Sequence, residues 1–191
     1  MAIYLRGLMM GLAYVAPIGT QNLFVINTAV TQPRKKAFLT ALIITFFDIS
    51  LSLACFFGVG ALMEALPWLR KGVLAIGSLI VIWMGIGLIR SKSGLAGDAD
   101  TGIPLLKTAA IAFTVTWINP QALIDGTMLL GAASATLTAG EKLPFVIGFT
   151  SASVIWFFGV TTAISLFSGK ITDKLLRIIN IVCGAVMVFY G

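Results

Sequence analysis

Residues 7–30 read GLMMGLAYVAPIGTQNLFVINTAV and contain no charged side chain. A helix needs roughly 20 apolar residues to cross about 30 Å of hydrocarbon, so this segment is long enough to span a membrane. The pattern then recurs, with at most one charged residue in each later segment: residues 37–63, 72–89, 108–140, 143–169 and 178–191. The sequence therefore predicts an all-α integral membrane protein with six transmembrane helices.

Composition agrees with a membrane protein. The 191-residue chain is 59% hydrophobic and 10% charged, and its mean hydropathy is +1.04, whereas a soluble domain carries about 25% charged residues. The net charge is +6, but the basic residues form short clusters between apolar segments, which is typical of orientation signals and not of a nucleic-acid surface. The chain has no histidine, which excludes histidine metal sites and serine–histidine or cysteine–histidine catalysis. We expect lipid as its surroundings, and neither nucleic acid, metal nor cofactor.

Lysine and arginine predict the orientation. In a six-helix arrangement, nine of these residues fall on one side of the membrane and four on the other. The side with the excess is predicted to be cytoplasmic, which places both termini outside. The larger group comprises Arg34, Lys35, Lys36, Arg90, Lys92, Lys107, Lys170, Lys174 and Arg177, and the smaller group comprises Arg6, Arg70, Lys71 and Lys142.

The chain divides into two halves of similar pattern. Residues 91–105 form a polar, glycine-rich segment, predicted to be a cytoplasmic loop between residues 1–90 and 106–191 of a single membrane domain. Pro17 and Pro120 lie 103 residues apart, and two Phe-Phe-Gly triplets, at 56–58 and 157–159, lie 101 apart. Three helices per half require opposite insertion, so the pattern predicts a 3+3 inverted-topology repeat, an architecture of many secondary transporters. Chance similarity between two apolar segments is the alternative.

The two prolines interrupt the first and fourth predicted helices. Proline removes an amide donor and clashes with the preceding turn, and the residues before it, Ala16 and Asn119, are expected to leave helical geometry. Backbone groups freed in lipid must be satisfied by protein or by a wet cavity. We therefore expect both breaks to border a cavity, although a plain kink is an alternative for each.

Two carboxylates lie near the middle of predicted spans. An acid at the bilayer centre costs about 2.5–3.5 kcal/mol on insertion scales, so Asp48 and Asp125 are expected to serve pairing or function. The alternative is a protonated aspartate that bonds a neighbouring helix. Helical spacing places Thr45, Ser52 and Cys55 on the same face as Asp48, a polar stripe that should face inward. Asp125 shares its face with Gln121, Ile118 and Thr114.

These features predict the chemistry of a ligand. Two carboxylates without basic partners attract cations, while the start of a half-helix attracts an anion such as a substrate carboxylate. An amino acid has both groups, and two acids favour a basic one, although a metal cation or protons would also suit the carboxylates. Removal from water favours the protonated carboxyl, so Asp48 and Asp125 are also candidates for proton coupling. The candidate binding residues are Pro17, Gly19, Gln21, Asn22, Asp48, Asn119, Pro120, Gln121 and Asp125.

Three motifs together closely resemble the lysine exporter (LysE) family. They are Gly11-x5-Pro17-Ile18-Gly19-Thr20-Gln21-Asn22, Phe47-Asp48-Ile49, and Thr116-Trp117-Ile118-Asn119-Pro120 followed by Asp125. Neutral amino acid exporters of the family usually carry Pro-Gly-Pro and Asn-Pro-Lys, so the resemblance is to the basic amino acid branch. It implies export of lysine or arginine through the bacterial cytoplasmic (inner) membrane, driven by the proton motive force or membrane potential. It also implies that both aspartates are required.

Other functions are compatible with the same residues. One is export of another cation or of a neutral amino acid. An intramembrane aspartyl protease would use two aspartates as an acid–base dyad, but neither Phe47-Asp48-Ile49 nor Ile124-Asp125-Gly126 matches the Gly-x-Gly-Asp type motif of such enzymes. A structural membrane subunit would tolerate loss of both acids. We expect a transporter and not an enzyme, either alone or as a homo-oligomer.

Overall fold

The computed structural model describes residues 1–17, 19–58 and 104–167, with scattered residues between 66 and 90 and between 177 and 189. These continuous ranges contain helices and no strand, in agreement with the predicted all-α class. The helices are α1 (Ala2–Val15), α2 (Thr20–Thr31), α3 (Arg34–Phe57), α4 (Leu105–Trp117), α5 (Pro120–Thr136) and α6 (Ala139–Phe167).

Membrane spans are recognisable by length and hydropathy. Helices α3 and α6 are each long and apolar enough to cross a bilayer, and α1 with α2 passes the same test as a pair bent by 76°. The described helices thus supply two spans, or three if the bent pair is one span. The predicted helices at residues 72–89 and 178–191, and the predicted loop at 91–105 up to residue 103, lie outside the continuously described ranges.

Among the helix ends that differ from the predicted segments, two have a visible local cause. Helix α3 ends at Phe57 instead of residue 63, because Gly58 takes a φ of 127°, which only glycine adopts readily. Helix α6 begins at Ala139, four residues early. There the Glu141 carboxylate accepts hydrogen bonds from the Thr138 amide and hydroxyl at 3.0 and 2.8 Å, a capping arrangement that starts the helix.

Helix α1 packs closely along α6 through glycines. A methyl group on Gly11 would lie 2.7 Å from Cβ of Ala152, and one on Gly7 would clash with the Phe145 backbone. From the other side, Gly148 faces the backbone of Tyr4. Small residues let membrane helices approach until their backbones touch, so this is the tightest helix pair in the described structure.

Helix α3 occupies the centre and contacts α2, α4, α5 and α6. Its predicted polar stripe does face inward: Thr45, Asp48, Ser52 and Cys55 are all buried. Cys55 is a free thiol. One apolar cluster around Phe56 and Phe149 and another around Ile44 and Phe157 flank the stripe, so a polar layer crosses the core.

Candidate functional site

The first interruption separates α1 from α2 between Val15 and Thr20. The prediction that Ala16 leaves helical geometry is wrong: its φ and ψ are −71° and −33°, and its amide bonds Leu12 O at 3.0 Å. This hydrogen bond completes the last turn of α1 and outweighs the steric preference before proline. Gly19, the N-cap of α2, is extended, with a φ of −119° and a ψ of −174°.

The Asn22 side chain satisfies backbone carbonyls at this interruption. Its side-chain Nδ2 donates to Val15 O at 2.8 Å and to Pro17 O at 2.7 Å, so two carbonyls freed by the interruption are satisfied. Its Oδ1 accepts a hydrogen bond from Trp156 Nε1 on α6, also at 2.8 Å. The side chain is therefore committed to holding the backbone, and its free capacity for a ligand is small.

The second interruption lies between α4 and α5. Asn119 is extended, with φ −78° and ψ 111°, as expected before proline, and its Oδ1 accepts from Gln121 N at 3.1 Å as the N-cap of α5. Pro120 occupies the first turn of the new helix, where a missing amide costs nothing. Pro120 thus starts a helix here and does not bend one from within.

The two interruptions meet through one hydroxyl group. Asn119 Nδ2 donates to Thr20 Oγ1 at 2.8 Å, and Thr20 Oγ1 donates to Val115 O at 3.2 Å. Both side chains are buried. Residues 99 positions apart in sequence are thereby joined, and the starts of α2 and α5 lie side by side.

A cavity of about 470 Å³ opens between the interruptions. Seven of the nine predicted binding residues line it, and Asp48 and Pro120 do not. No lysine or arginine is among its described lining residues. We call it the central cavity. Its lining comprises Ala13, Tyr14, Val15, Pro17, Gly19, Thr20, Gln21, Asn22, Asn119, Gln121, Ala122, Asp125, Met128 and Leu129.

Asp125 is the carboxylate of the central cavity. Its two oxygens each accept a hydrogen bond from Nε2 of Gln121, one turn earlier on α5, and both distances are 2.8 Å. The amide is neutral and the carboxylate is exposed, so its negative charge remains available to a bound cation. The predicted shared helix face of Gln121 and Asp125 is thus seen as a direct contact.

Asp48 differs from Asp125 because it is completely buried and lies behind the cavity lining. Ser153 Oγ on α6 donates to its Oδ2 at 2.6 Å. Gln21 lies beside it and also lines the central cavity. In the described structure, Asp48 Oδ1 and Gln21 Nε2 are both buried without a hydrogen bond. Gln21 therefore borders both this carboxylate and the cavity.

The start of α2 is the positive part of the cavity wall. The first backbone amides of a helix have no partner within the helix and carry a partial positive charge. The N-cap of α2, Gly19, has no side chain to accept from them. In α5, by contrast, Asn119 occupies the amide of Gln121, and Pro120 has none. The amides of α2 are consequently the better site for an anionic group.

Tyr14 is a lining residue that the sequence argument missed. Its hydroxyl donates to Ala122 O at 3.1 Å, and its ring lies 5.5 Å from that of Phe149. It lies in electrostatic range of both Asp48 and Asp125. The available signal was its position one helical turn before Pro17, on the face that the interruption exposes.

The comparison with known proteins covers the residues of this site. Residues 12–191 match the family model described as LysE type translocator. The chain belongs to the LysE family. This LysE chain is 34% identical over 191 residues to the arginine exporter protein ArgO of Klebsiella pneumoniae (strain 342), covering 97% of this chain and 90% of the relative.

Other relatives give the same result. The arginine exporter protein ArgO of Escherichia coli (strain K12) has the same identity and coverage. That of Enterobacter sp. (strain 638) is 31% identical over 194 residues, covering 99% of this chain and 91% of the relative. No solved structure matches the chain. Membership of the LysE family confirms the resemblance inferred from the motifs and identifies a transporter, not an enzyme.

Proposed function

We propose that this LysE-family chain exports basic amino acids, arginine first and lysine second, across the bacterial cytoplasmic membrane. The observation that carries the proposal is a cavity in which a charged carboxylate faces the uncapped start of a helix without any basic side chain in the described lining. The relatives' printed names, arginine exporter, support arginine as the first candidate.

The central cavity suits both ends of such a substrate. Asp125 would receive the guanidinium group in a charge-assisted, two-pronged contact, the geometry in which arginine binds carboxylates best. The amides at the start of α2 would receive the substrate carboxylate. The cavity volume of about 470 Å³ falls within the roughly 300–1,000 Å³ typical of small-molecule sites. A neutral amino acid would leave the Asp125 charge unpaired, which disfavours that alternative.

Asp48 is proposed as the proton-coupling group, and Asp125 as the group that binds substrate directly. The free energy of a charged carboxylate depends strongly on whether the group is buried. Its protonation state can therefore change when the conformation of the protein changes. Gln21 provides the connection because it borders both the carboxylate and the cavity. If Nε2 of Gln21 turned toward Oδ1 of Asp48, two unsatisfied groups would be satisfied at once. The proton motive force would drive export through this residue.

The architecture proposed for this function is the 3+3 inverted repeat, with residues 1–90 and 106–191 as repeats of one multi-pass domain. In it, α1 with α2 and α4 with α5 form the two broken helices. The hydrogen bond between Asn119 and Thr20 supports this arrangement because it joins the two interruptions. Discontinuous helices that meet at a central site are the usual substrate site of such transporters.

The proposal is tested in a bacterium that lacks its own basic amino acid exporters. Cells are fed arginine- or lysine-containing dipeptides, with and without this gene, while intracellular amino acids and membrane abundance of the protein are measured. We expect the gene to lower intracellular arginine and restore growth, and canavanine resistance should rise in parallel. Unchanged arginine and lysine in cells whose membranes contain the protein would contradict the assignment.

A further inference from the structure

A second cavity, of about 610 Å³, lies at the end of α3. Its lining includes Phe57, Gly58, Ser134, Ala135 and Lys142. We call it the distal cavity. At the other end of α3, Arg34 donates to Ser165 O at 3.4 Å near the end of α6. The distal cavity is therefore at the opposite end of the bundle from Arg34. The predicted orientation places Lys142, and with it this end of the bundle, outside.

The two cavities adjoin each other, and we call the contact of Tyr14, Gly126 and Cys55 between them the junction. Met128 lines both. Tyr14 lines only the central cavity, and Cys55 lines only the distal cavity. Between them lies Gly126: a methyl group there would be 3.2 Å from the Tyr14 hydroxyl and 3.1 Å from Cys55 Sγ. Tyr14 and Cys55 thus close on Gly126 from two sides, and a side chain at this position would crowd both of them.

Three polar groups border the junction, although Cys55 belongs to the apolar cluster around Phe56 and Phe149 and Tyr14 packs against it. They comprise the Tyr14 hydroxyl, the Cys55 thiol and the Thr127 hydroxyl, whose oxygen is 3.9 Å from Cys55 Sγ. The three junction residues lie on three different helices: Tyr14 on α1, Cys55 on α3 and Gly126 on α5. A relative shift of these helices would join the cavities through a passage that a polar solute can enter.

We infer that the central and distal cavities are consecutive parts of one export path and that the Tyr14–Gly126–Cys55 contact is its outer gate. This inference rests on the proposed function. Glycine at position 126 keeps the opening free of side-chain atoms. Tyr14 is tethered to Ala122 O, one turn before Gly126, so the gate opens when α1 and α5 separate. The path then leads from Asp125 through this contact to the distal cavity at Lys142.

A cross-link tests whether the gate must move. A Cβ placed on Gly126 would lie 3.7 Å from Cys55 Cβ, within the roughly 3.5–4.5 Å that disulfides require. In a Cys183→Ser background, Gly126→Cys should form a disulfide with Cys55 under a permeant oxidant. We expect oxidation to stop export and a reductant to restore it, while Gly126→Cys with Cys55→Ser stays insensitive to oxidant. Full export by the cross-linked protein would overturn the inference that this contact is a gate.

A second measurement does not depend on the substrate. In a Cys55→Ser, Cys183→Ser background, Ala13→Cys marks the central cavity and Ala135→Cys marks the distal cavity. A membrane-impermeant cationic thiol reagent is added outside whole cells. We expect both cysteines to react. Adding Gly126→Val, whose side chain fills the junction, should slow the reaction of Ala13→Cys about tenfold, equivalent to roughly 1.4 kcal/mol in accessibility, and leave Ala135→Cys unchanged.

Matched controls separate gating from packing. Gly159 on α6 lines neither cavity, and a methyl group there meets nothing within 4 Å, so Gly159→Val should slow neither reaction. Equal or faster labelling of Ala13→Cys in Gly126→Val, or no labelling of Ala135→Cys from outside, would overturn the inference. Because labelling needs no transported amino acid, a wrong substrate assignment would leave this result intact and would appear only in the export assay.

Discussion

The Gln121 amide holds both oxygens of Asp125, with Nε2 2.8 Å from each. The two residues are four positions apart on α5 and so lie on one face of the helix. A neutral donor orients the carboxylate toward the cavity without cancelling its charge. The arrangement explains how an acid can remain both ordered and free to bind a cation in the proposed site.

Asp125→Asn should impair export while leaving the protein in the membrane. The variant keeps the shape of the side chain but loses the charge that attracts guanidinium. A hydrogen bond to a charged group contributes about 1.5–3 kcal/mol, so the half-saturating arginine concentration should rise roughly 10- to 100-fold. The measurement is initial export from vesicles loaded with graded arginine.

Asp125→Glu serves as the matched variant, since it retains the charge at a slightly different position. It should keep measurable export. If Asp125→Asn exported arginine with unchanged half-saturation at equal abundance, Asp125 would not be the substrate carboxylate.

Gln121→Ala should weaken arginine binding less than loss of Asp125. The carboxylate keeps its charge but loses its positioning donor, and a net hydrogen bond contributes about 0.5–1.5 kcal/mol, or roughly a 2- to 12-fold change in affinity. Gln32→Ala is the control, because Gln32 lies at the end of α2 away from the central cavity. Equal losses in the two variants would argue against a positioning role for Gln121.

Asp48→Asn should separate substrate movement from proton coupling. Its amide oxygen can still accept from Ser153, so the buried hydrogen bond at 2.6 Å has a substitute. In proteoliposomes we expect arginine exchange across the membrane to continue while a pH gradient no longer drives accumulation. Accumulation by Asp48→Asn comparable to that of the unmodified protein would refute coupling through this residue.

Thr20→Val should destabilise the protein. Valine matches threonine in shape but cannot accept from Asn119 Nδ2, which would be left buried without a partner. An unsatisfied buried donor costs about 1–3 kcal/mol, which should lower the melting temperature in detergent. Thr20→Ser, which keeps the hydroxyl, should melt close to the unmodified protein, and equal melting of the valine variant would show that the link contributes little.

The local features of the site were accessible from sequence. Charges excluded from long apolar segments predicted α3 and α6, and the two prolines predicted where the helices are interrupted. The periodic spacing around Asp48 predicted its buried stripe, because helix geometry alone decides which side chains share a face. Gln121 and Asp125 were paired on the same basis.

The features that join distant segments were not accessible. The bond between Tyr14 and Ala122 spans 108 positions, and that between Trp156 and Asn22 spans 134. Such pairs depend on how helices pack, which no local spacing specifies. The wrong prediction at Ala16 has a local cause: one hydrogen bond in the last helical turn outweighed a steric preference that is only statistical.

The glycine-mediated contact between α1 and α6 has a consequence for movement. Backbones that touch along a shared surface cannot slide without opening gaps, so α1 and α6 are expected to travel as one rigid body. One of these helices belongs to each half of the chain. The two units that move against each other during export would then not coincide with the two sequence repeats. The segment around Pro17 and Gly19 would be the hinge between them.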